Sequence, residues 1–269
     1  MPDISGPPLF VVDAFAERPF TGNPAAVCLL DRWPSDSWLH SVAAEMNLSE
    51  TAFLVPEGNR FALRWLTPAV EVDLCGHATL ASACVLWDQQ RAAVDQTIEF
   101  STRSGILSAR RHGQQIELNF PLQPQVEASP PEGLLAALGA QATYVGKNVD
   151  YLIEVQDEQT LRALAPDFRR LAAVDCRGVI ITARSTGEPY DFVSRFFAPA
   201  SGIDEDPVTG SAHCTLAHFW QQRLGKSELR AFQASKRGGQ VDVVIQGDRV
   251  LLRGLAVIVS RGQLIRPGS

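Results

Sequence analysis

The sequence predicts an α+β protein of two similar domains, each with its strands wrapped around one buried helix. The first observation is an internal repeat: residues 64–73 and 195–204 share Arg, Pro, Ala and Asp at the same spacing, and each block precedes a His-x-Thr-Leu-Ala segment. The second is that the helical segments 76–87 and 210–220 contain no Asp, Glu, Lys or Arg. Because a surface helix carries a charged face, these two helices are predicted to be buried on every side.

The elements of the first half follow from local patterns. An opening strand over 9–15 and a second over 25–30 flank a turn rich in Pro, Gly and Asn. Helical spacing predicts a helix over 36–46, with Ser35 as its N-cap and Asn47 as its stop. Further strands are predicted over 51–55, 60–66, 98–100 and 116–120.

The domain boundaries are predicted from a proline-rich stretch and from the repeat. Residues 121–131 contain four prolines and are typical of a crossover between two units. We therefore expect a first domain over 1–120 and a second over 121–255. The final strand, within 256–269, is expected to return to the first domain.

Composition limits the possible partners. The chain has 269 residues, 45% of them hydrophobic, and a formal net charge of −6, which favours an ordinary soluble protein without nucleic-acid or membrane partners. The longest charge-free apolar stretch, 74–87, is shorter than the ~18 residues that a membrane-spanning helix needs. No signal peptide is evident at the N-terminus, so a cytoplasmic protein is expected.

Cofactors are not expected. The five cysteines are an odd number without a Cys-x-x-Cys pair, so neither a disulfide framework nor a zinc ribbon is predicted. The glycine motifs that cradle nucleotide phosphates are missing from the sequence. We therefore predict no metal and no cofactor.

The starts of the two charge-free helices suit an anion. Both begin at small residues, Gly76 and the pair Gly210 and Ser211, where free backbone N–H groups and the positive end of the helix dipole lie together. If the two domains face each other, the two helix starts meet across one cleft. That cleft would suit a small carboxylate.

Four separated motifs carry a resemblance to a known family. They lie at 12–15 with 22–27, at 47–53, at 64–68 with 71–81, and at 204–213. With these motifs the sequence resembles the phenazine-biosynthesis PhzF-like family, a branch of the diaminopimelate-epimerase-like fold. The resemblance implies two domains, each a mixed sheet curled around a central helix, with the active site in the interdomain cleft. It also implies cofactor-independent proton transfer at carbon of a small acid.

Glu50 is the candidate proton-transfer residue. It stands where a helix and a turn give way to the apolar strand 51–55, a place where an acidic residue is usually solvated. The resemblance assigns it the role of general acid and base. A carboxyl group in a dehydrated cleft has its pKa raised towards neutrality, which lets the group both take and return a proton.

The other candidates each have a structural interpretation beside the catalytic one. His77 caps a helix or, by the resemblance, takes part in the proton relay or binds substrate. Asp206, which precedes a proline before the second helix, complements the helix dipole or is a hydrogen-bonding acid in the cleft. The resemblance further implies that Gly76, Gly210 and Ser211 bind the substrate carboxylate.

Cys75, Cys214 and His213 are interpreted as structural. Racemases of this fold that use two thiols place one Cys before each central helix, but here only the first half has one, Cys75. One thiol without its partner cannot run that mechanism, so Cys75 is predicted to be a small buried residue. Cys214 and His213 are expected in core packing, and His218 does not share the face of His213, so no metal pair is predicted.

Three functions stay open at this point. The first is an isomerase in which Glu50 moves a proton from one carbon to another. The second is an amino-acid epimerase or racemase in which Cys75 or His77 serves the opposite face. The third is a non-catalytic binding protein that retains the fold. The sequence leaves the substrate unidentified, and a homodimer is expected only because dimers are the commonest oligomers.

Overall fold

The computed structural model describes residues 5–187 and 189–265. The chain forms two compact units. Unit 1 comprises the chain up to Asn119 together with the part from Arg253 onwards, and unit 2 comprises Phe120–Leu252. The corresponding boundaries expected from the sequence were 120/121 and 255/256. Strands and helices are mixed in both units, so the fold class is α+β, as predicted.

The first elements of the chain form most of unit 1. In order they are β1 (Ser5–Ala14), β2 (Asn23–Leu29), α1 (Asp36–Met46), β3 (Glu50–Glu57), β4 (Arg60–Leu66), β5 (Glu71–Val72), α2 (Gly76–Asp88), β6 (Ile98–Thr102), β7 (Gly105–His112) and β8 (Gln115–Pro121). The following elements are β9 (Val126–Glu127), α3 (Leu134–Leu138), β10 (Tyr144–Lys147), β11 (Tyr151–Glu154), α4 (Glu158–Ala163), α5 (Phe168–Ala172), β12 (Val179–Arg184), β13 (Phe192–Phe197), α6 (Gly210–Leu224), β14 (Glu228–Gln233), β15 (Gly239–Gln246), β16 (Arg249–Gly254) and β17 (Ala256–Ile265).

The last strand of the chain pairs with the first. β17 pairs antiparallel with β1, from Ala14 opposite Ala256 to Ser5 opposite Ile265. On its other side β1 pairs antiparallel with β2. The C-terminal strand is therefore part of the unit 1 sheet. Residues 266–269, which the expected first domain also included, lie outside the described part of the chain.

Strands pair in the same succession of directions within each unit. In unit 1 the pairs β1–β2, β2–β3, β3–β4, β4–β6 and β6–β7 run antiparallel, parallel, antiparallel, parallel and antiparallel. In unit 2 the pairs β10–β11, β11–β12, β12–β13, β13–β14 and β14–β15 run in the same five directions. Each sheet is therefore mixed, and α2 and α6 occupy equivalent places in the two successions. This agreement supports an internal duplication.

Both charge-free helices are buried, as predicted. In α2 the residues from His77 to Trp87 are buried except for the half-buried Cys84, and the helix contacts β1, β2, β3, β7 and β17. In α6 the ring of Trp220 stacks on Phe192 and its Nε1 donates to the Thr182 hydroxyl, 2.9 Å away. Each helix is thus enclosed by the strands of its own unit. Within the residues described, none of the helices is long and apolar enough to cross a membrane.

The structure confirms the predicted caps of helix α1. Strand β7, in contrast, was not predicted from the sequence. The Ser35 hydroxyl accepts a hydrogen bond from the backbone N–H of Trp38, and Asn47 ends the helix in the left-handed conformation, with φ of 49°. Strand β7 buries only Leu107 and Ala109. Its apolar alternation is consequently too short to indicate a strand in the sequence.

His213 lies in the interior of unit 2, consistent with its structural interpretation. Its side chain is fully buried, and Nδ1 lies 2.8 Å from the carbonyl oxygen of Thr209, to which the ring N–H donates. Burial lowers the pKa of His213 to about 4. The folded protein therefore keeps this imidazole neutral.

We predict that His213 makes the protein acid-sensitive. Between about pH 6.5 and pH 4 the unfolded chain binds a proton that the folded chain refuses, so the free energy of unfolding falls as the pH is lowered. Between pH 7 and pH 5 the loss due to His213 is about 2 kcal/mol. Urea unfolding at both pH values is expected to show a smaller loss in His213→Asn than in the exposed control His112→Gln. Equal losses in the two variants would contradict the prediction.

Candidate active site

The turn before β2 determines where Asn23 lies. Gly22 has a φ of +66°, and a Cβ atom there would lie 2.2 Å from the carbonyl oxygen of Ala14, so only glycine fits. The turn is braced by Asp13, whose carboxylate accepts a hydrogen bond from the backbone N–H of Phe20 at 2.7 Å. Asn23 then begins β2 opposite Ala14, with its side chain fully buried.

Glu50 begins the next strand and faces the same side of the sheet as Asn23. β3 starts with Glu50 directly opposite Ala25 in the parallel pair with β2. Since side chains alternate along a strand and opposite residues share a face, Asn23, Ala25 and Glu50 all point to one side. That face is the one that meets α2, and only 13% of the Glu50 side chain is exposed. A buried carboxylate is therefore placed beside the start of α2.

His77, the second residue of α2, brings these side chains together. Its Nε2 atom lies 3.2 Å from Oε2 of Glu50, although the approach is not aligned as a good hydrogen bond. Its Nδ1 atom lies 3.2 Å from Nδ2 of Asn23 and 3.5 Å from Sγ of Cys75. One imidazole thus lies close to a carboxylate, an amide and a thiol.

The cluster combines a neutral ring with a favourable helix end. Burial lowers the pKa of His77 to about 3, so the imidazole is uncharged near neutral pH. The N-cap residue Cys75 makes no side-chain cap hydrogen bond, and the first turn of α2 carries no acidic residue. The positive end of the helix dipole therefore lies beside the Glu50 carboxylate and favours negative charge there.

An arginine–glutamate pair holds the segment that leads into α2. Arg64 donates from Nε and Nη2 to the two oxygens of Glu71, at 2.8 and 2.6 Å, and Arg103 also reaches Glu71, at 2.7 Å. The Arg64 guanidinium holds the pKa of Glu71 below its ordinary value. In unit 2, Arg195 likewise donates from Nε and Nη2 to the two oxygens of Glu205, at 2.7 and 3.0 Å. Planar two-pronged pairs of this kind fix geometry as well as charge.

The unit 2 candidates lie at the start of α6. Asp206 is buried and its carboxylate accepts a hydrogen bond from the hydroxyl of Thr209, the N-cap residue of the helix. Gln233 accepts from the backbone N–H of Thr209 at 2.8 Å and donates to the carbonyl oxygen of Asp206 at 2.7 Å. Gly210 and half-buried Ser211 follow as the first helical residues. A fully buried amide thus fixes the turn that precedes α6.

The predicted residues fall into two groups. Glu50, Gly76 and His77 belong to unit 1, with the glutamate and the histidine in contact. The remaining predicted residues, Asp206, Gly210 and Ser211, belong to unit 2. Cys75 is buried, as predicted, yet its thiol also touches His77, a contact that the sequence does not indicate.

Two polar residues of these groups were not predicted as site residues. Asn23 is part of the motif at residues 22–27, and Gln233 lies in a strand whose sequence contains no motif. The missed signal at Asn23 is a polar residue on the face of a strand that is otherwise apolar. Such a side chain must find a hydrogen-bond partner once it is buried.

The cluster in unit 1 offers three atoms that metal ions bind. Donor atoms of Glu50, Cys75 and His77 all lie within 4.8 Å of one another. However, Glu50 lies against Nε2 and Cys75 against Nδ1, and the two ring nitrogens point in different directions. An ion bound at His77 would use one ring nitrogen and leave the other to its neighbours, while the distances alone would let donor atoms of Glu50 and Cys75 approach the same ion.

Relatives that match almost the whole chain are named isomerases. An uncharacterized isomerase of Halalkalibacterium halodurans is 54% identical over 260 residues, which cover 96% of this chain and 98% of the relative. An uncharacterized isomerase of Pseudomonas aeruginosa is 52% identical over 256 residues, covering 95% of this chain and 98% of the relative. The protein is therefore an enzyme of the isomerase class.

The family follows from a family model and a solved structure. The model described as phenazine biosynthesis-like protein matches residues 12–262. A crystal structure of a PhzF-family phenazine biosynthesis protein from Enterococcus faecalis has a TM-score of 0.93 at 41% identity, covering 97% of this chain and 100% of that one. The chain belongs to the phenazine biosynthesis-like family, as its motifs implied.

The fold extends to more distant proteins. A probable proline racemase from Agrobacterium radiobacter K84 has a TM-score of 0.65 at 10% identity and covers 97% of this chain and 93% of that one. At that identity the likeness concerns the fold alone.

We predict that Gly22 is essential for the geometry of the site, whereas another left-handed glycine is not. Gly22→Ala adds a Cβ atom 2.2 Å from a backbone oxygen, while Gly58 has a similar φ of +62° and open space around it. Gly58→Ala should cost about 1 kcal/mol in the free energy of unfolding and Gly22→Ala at least about 3 kcal/mol. Urea unfolding measures both, and equal costs would show that the approach to Ala14 is unimportant.

Proposed function

We propose that the protein isomerises a small carboxylate-bearing metabolite by cofactor-independent proton transfer at carbon, with Glu50 as the acid and base. The observation that carries this proposal is the largely buried Glu50 carboxylate, 3.2 Å from a neutral imidazole at the start of a buried helix. General acid–base catalysis needs one group that accepts a proton and later returns it. A carboxylate shielded from water is suited to both tasks.

In the proposed reaction one C–H bond breaks and another forms. Glu50 removes a proton from a carbon that is activated by a neighbouring carboxyl or carbonyl group, and the electron pair moves into the conjugated system. Glu50 then delivers a proton to a different carbon, where the electron pair closes the new C–H bond. The proton that Glu50 holds exchanges with solvent during turnover, so reaction in deuterated water places deuterium on carbon. Substrate and product have the same atoms and electrons, so the step needs no oxidant or reductant.

The negative charge that develops needs hydrogen-bond donors that are already in place. We propose that Gly76, through the backbone at the start of α2, and His77, through its ring, face this charge in unit 1. In unit 2, Gly210 and Ser211 are proposed to bind the substrate carboxylate, and Asp206 to hydrogen-bond a polar substrate group. Fixed donors that require no reorganisation are an effective source of transition-state stabilisation.

An epimerase or racemase is the second candidate, and the position of Cys75 favours it. The thiol lies 3.5 Å from Nδ1 of His77, and its sulfur is within 4.8 Å of the Glu50 carboxylate. In that reaction a second group would return the proton to the opposite face of the same carbon. The two candidates differ in product: epimerisation exchanges the α-proton without moving a double bond. The small-molecule substrate and the homodimer stay predictions.

We predict that Glu50→Gln abolishes proton exchange. The change keeps the shape of the side chain and removes the group that titrates, so carbon-bound deuterium should no longer appear in substrate or product. The assay incubates the protein in deuterated water with a panel of small carboxylic acids that have an acidic C–H bond, followed by mass spectrometry. Wild-type protein is expected to exchange at least 10³-fold faster than the variant.

The matched control for that experiment is Glu57→Gln. Glu57 is the last residue of the same strand and is exposed, so its variant should exchange at the wild-type rate. Exchange that persists in Glu50→Gln would contradict the proposed function. If exchange were instead lost in Cys75→Ser, a mechanism in which the thiol moves the proton would replace the proposed function.

We predict that Ser211→Ala weakens substrate binding more than turnover. Loss of one hydroxyl that donates to a carboxylate should raise KM about tenfold, which corresponds to ~1.4 kcal/mol, with kcat changed by less than a factor of three. The control is Ser41→Ala on the exposed face of α1. Steady-state kinetics with an acid identified in the exchange assay would measure both constants. An unchanged KM would rule out the hydroxyl as a substrate ligand.

A further inference from the structure

The neutral imidazole of His77 can hold its single proton on either nitrogen, and its neighbours determine which. On the Nε2 side lies the carboxylate of Glu50, at 3.2 Å. On the Nδ1 side lie the amide nitrogen of Asn23 at 3.2 Å and the thiol of Cys75 at 3.5 Å. An amide nitrogen only donates hydrogen bonds, whereas an ionised carboxylate only accepts them.

We propose that Asn23 is a positioning residue: its side-chain amide donates to Nδ1 of His77 and so keeps the ring proton on Nε2, facing Glu50. The opposite tautomer would set an N–H against the amide N–H₂ and a lone pair against the carboxylate. Both of those contacts are repulsive at 3.2 Å. This inference rests on the proposed function, because the catalytic role of Asn23 runs through Glu50.

The tautomer has a direct consequence for the proton that Glu50 carries. A ring with its proton on Nε2 turns an N–H, and not a lone pair, towards the carboxylate 3.2 Å away. It has no free lone pair on that side, so it cannot take the proton from Glu50 after the substrate has released it. The proton stays available for the second carbon of the substrate.

The position of Asn23 suits such a role because its backbone is firmly held. Gly22 has a left-handed backbone conformation close to Ala14 and so sets the direction in which the chain enters β2. Asn23 is the first paired residue of that strand. Full burial excludes water that would otherwise compete for Nδ1. The amide therefore meets the ring in one orientation.

The first test reads the tautomer without any substrate. Side-chain ¹⁵N NMR of His77 in the wild-type protein at pH 7 is expected to show Nε2 protonated and Nδ1 bare. In Asn23→Asp the new carboxylate accepts from the ring, so Nδ1 should become protonated. Asn148→Asp is the matched control, because Asn148 also donates from Nδ2, to Thr215, and belongs to the other unit. Its His77 spectrum should equal that of the wild type.

The second test measures the consequence for catalysis. Deuterium exchange by Asn23→Asp should fall about 10²-fold through kcat, with KM nearly unchanged, while Asn148→Asp keeps the wild-type rate. Asn23→Leu, which removes the donor without adding charge, should lower the rate similarly and leave a mixture of tautomers.

Each possible outcome decides the inference. A wild-type ring protonated on Nδ1 overturns it, even if Asn23→Asp does not fold. A switched tautomer in Asn23→Asp together with a wild-type exchange rate also overturns it. In that case the proposed function would still stand, provided that Glu50→Gln loses exchange. Exchange that survives in Glu50→Gln overturns both the proposed function and the catalytic role of Asn23.

Discussion

The constraint on which the rest of the structure depends is the complete burial of helix α2. A helix enclosed by strands can carry no charge along its sides, because an unpaired buried charge is too costly. From Gly76 to Trp87 it carries none. Its chemistry is therefore concentrated at its first turn, where the backbone N–H groups end and His77 meets Glu50. The fold and the candidate site thus have a common physical origin.

The segments around that first turn are held by contacts that tolerate little change. Gly22 lies against a backbone oxygen that no Cβ could approach, and Arg64 binds both oxygens of Glu71. Neither of these groups takes part in the proposed proton transfer. They fix where the segments before β2 and before α2 run, and the 3.2 Å distances at His77 depend on both segments. Precise placement of a base is worth several orders of magnitude in rate, so such supports matter to catalysis.

Much of the fold could be predicted from the sequence because its signals are local or repeated. Two charge-free segments predicted the central helices, and Ser35 and Asn47 predicted the ends of α1. Strand β7 was not predicted because only two of its side chains are buried, which leaves too short an apolar pattern in the sequence. The motifs located Glu50 and His77, but the contact of His77 with Asn23 joins residues 54 positions apart. Nothing in local sequence marks which buried polar groups meet across that distance.

The two units use one scaffold but differ in the polar groups that surround their central helices. α2 follows Cys75 and meets Glu50, whereas α6 follows Thr209, which hydrogen-bonds to Asp206 and Gln233. A duplication that kept the strand directions has therefore changed the chemistry at one helix start relative to the other. A mechanism with two equivalent thiols requires that symmetry to be kept. The asymmetry instead favours a mechanism in which one carboxylate moves the proton.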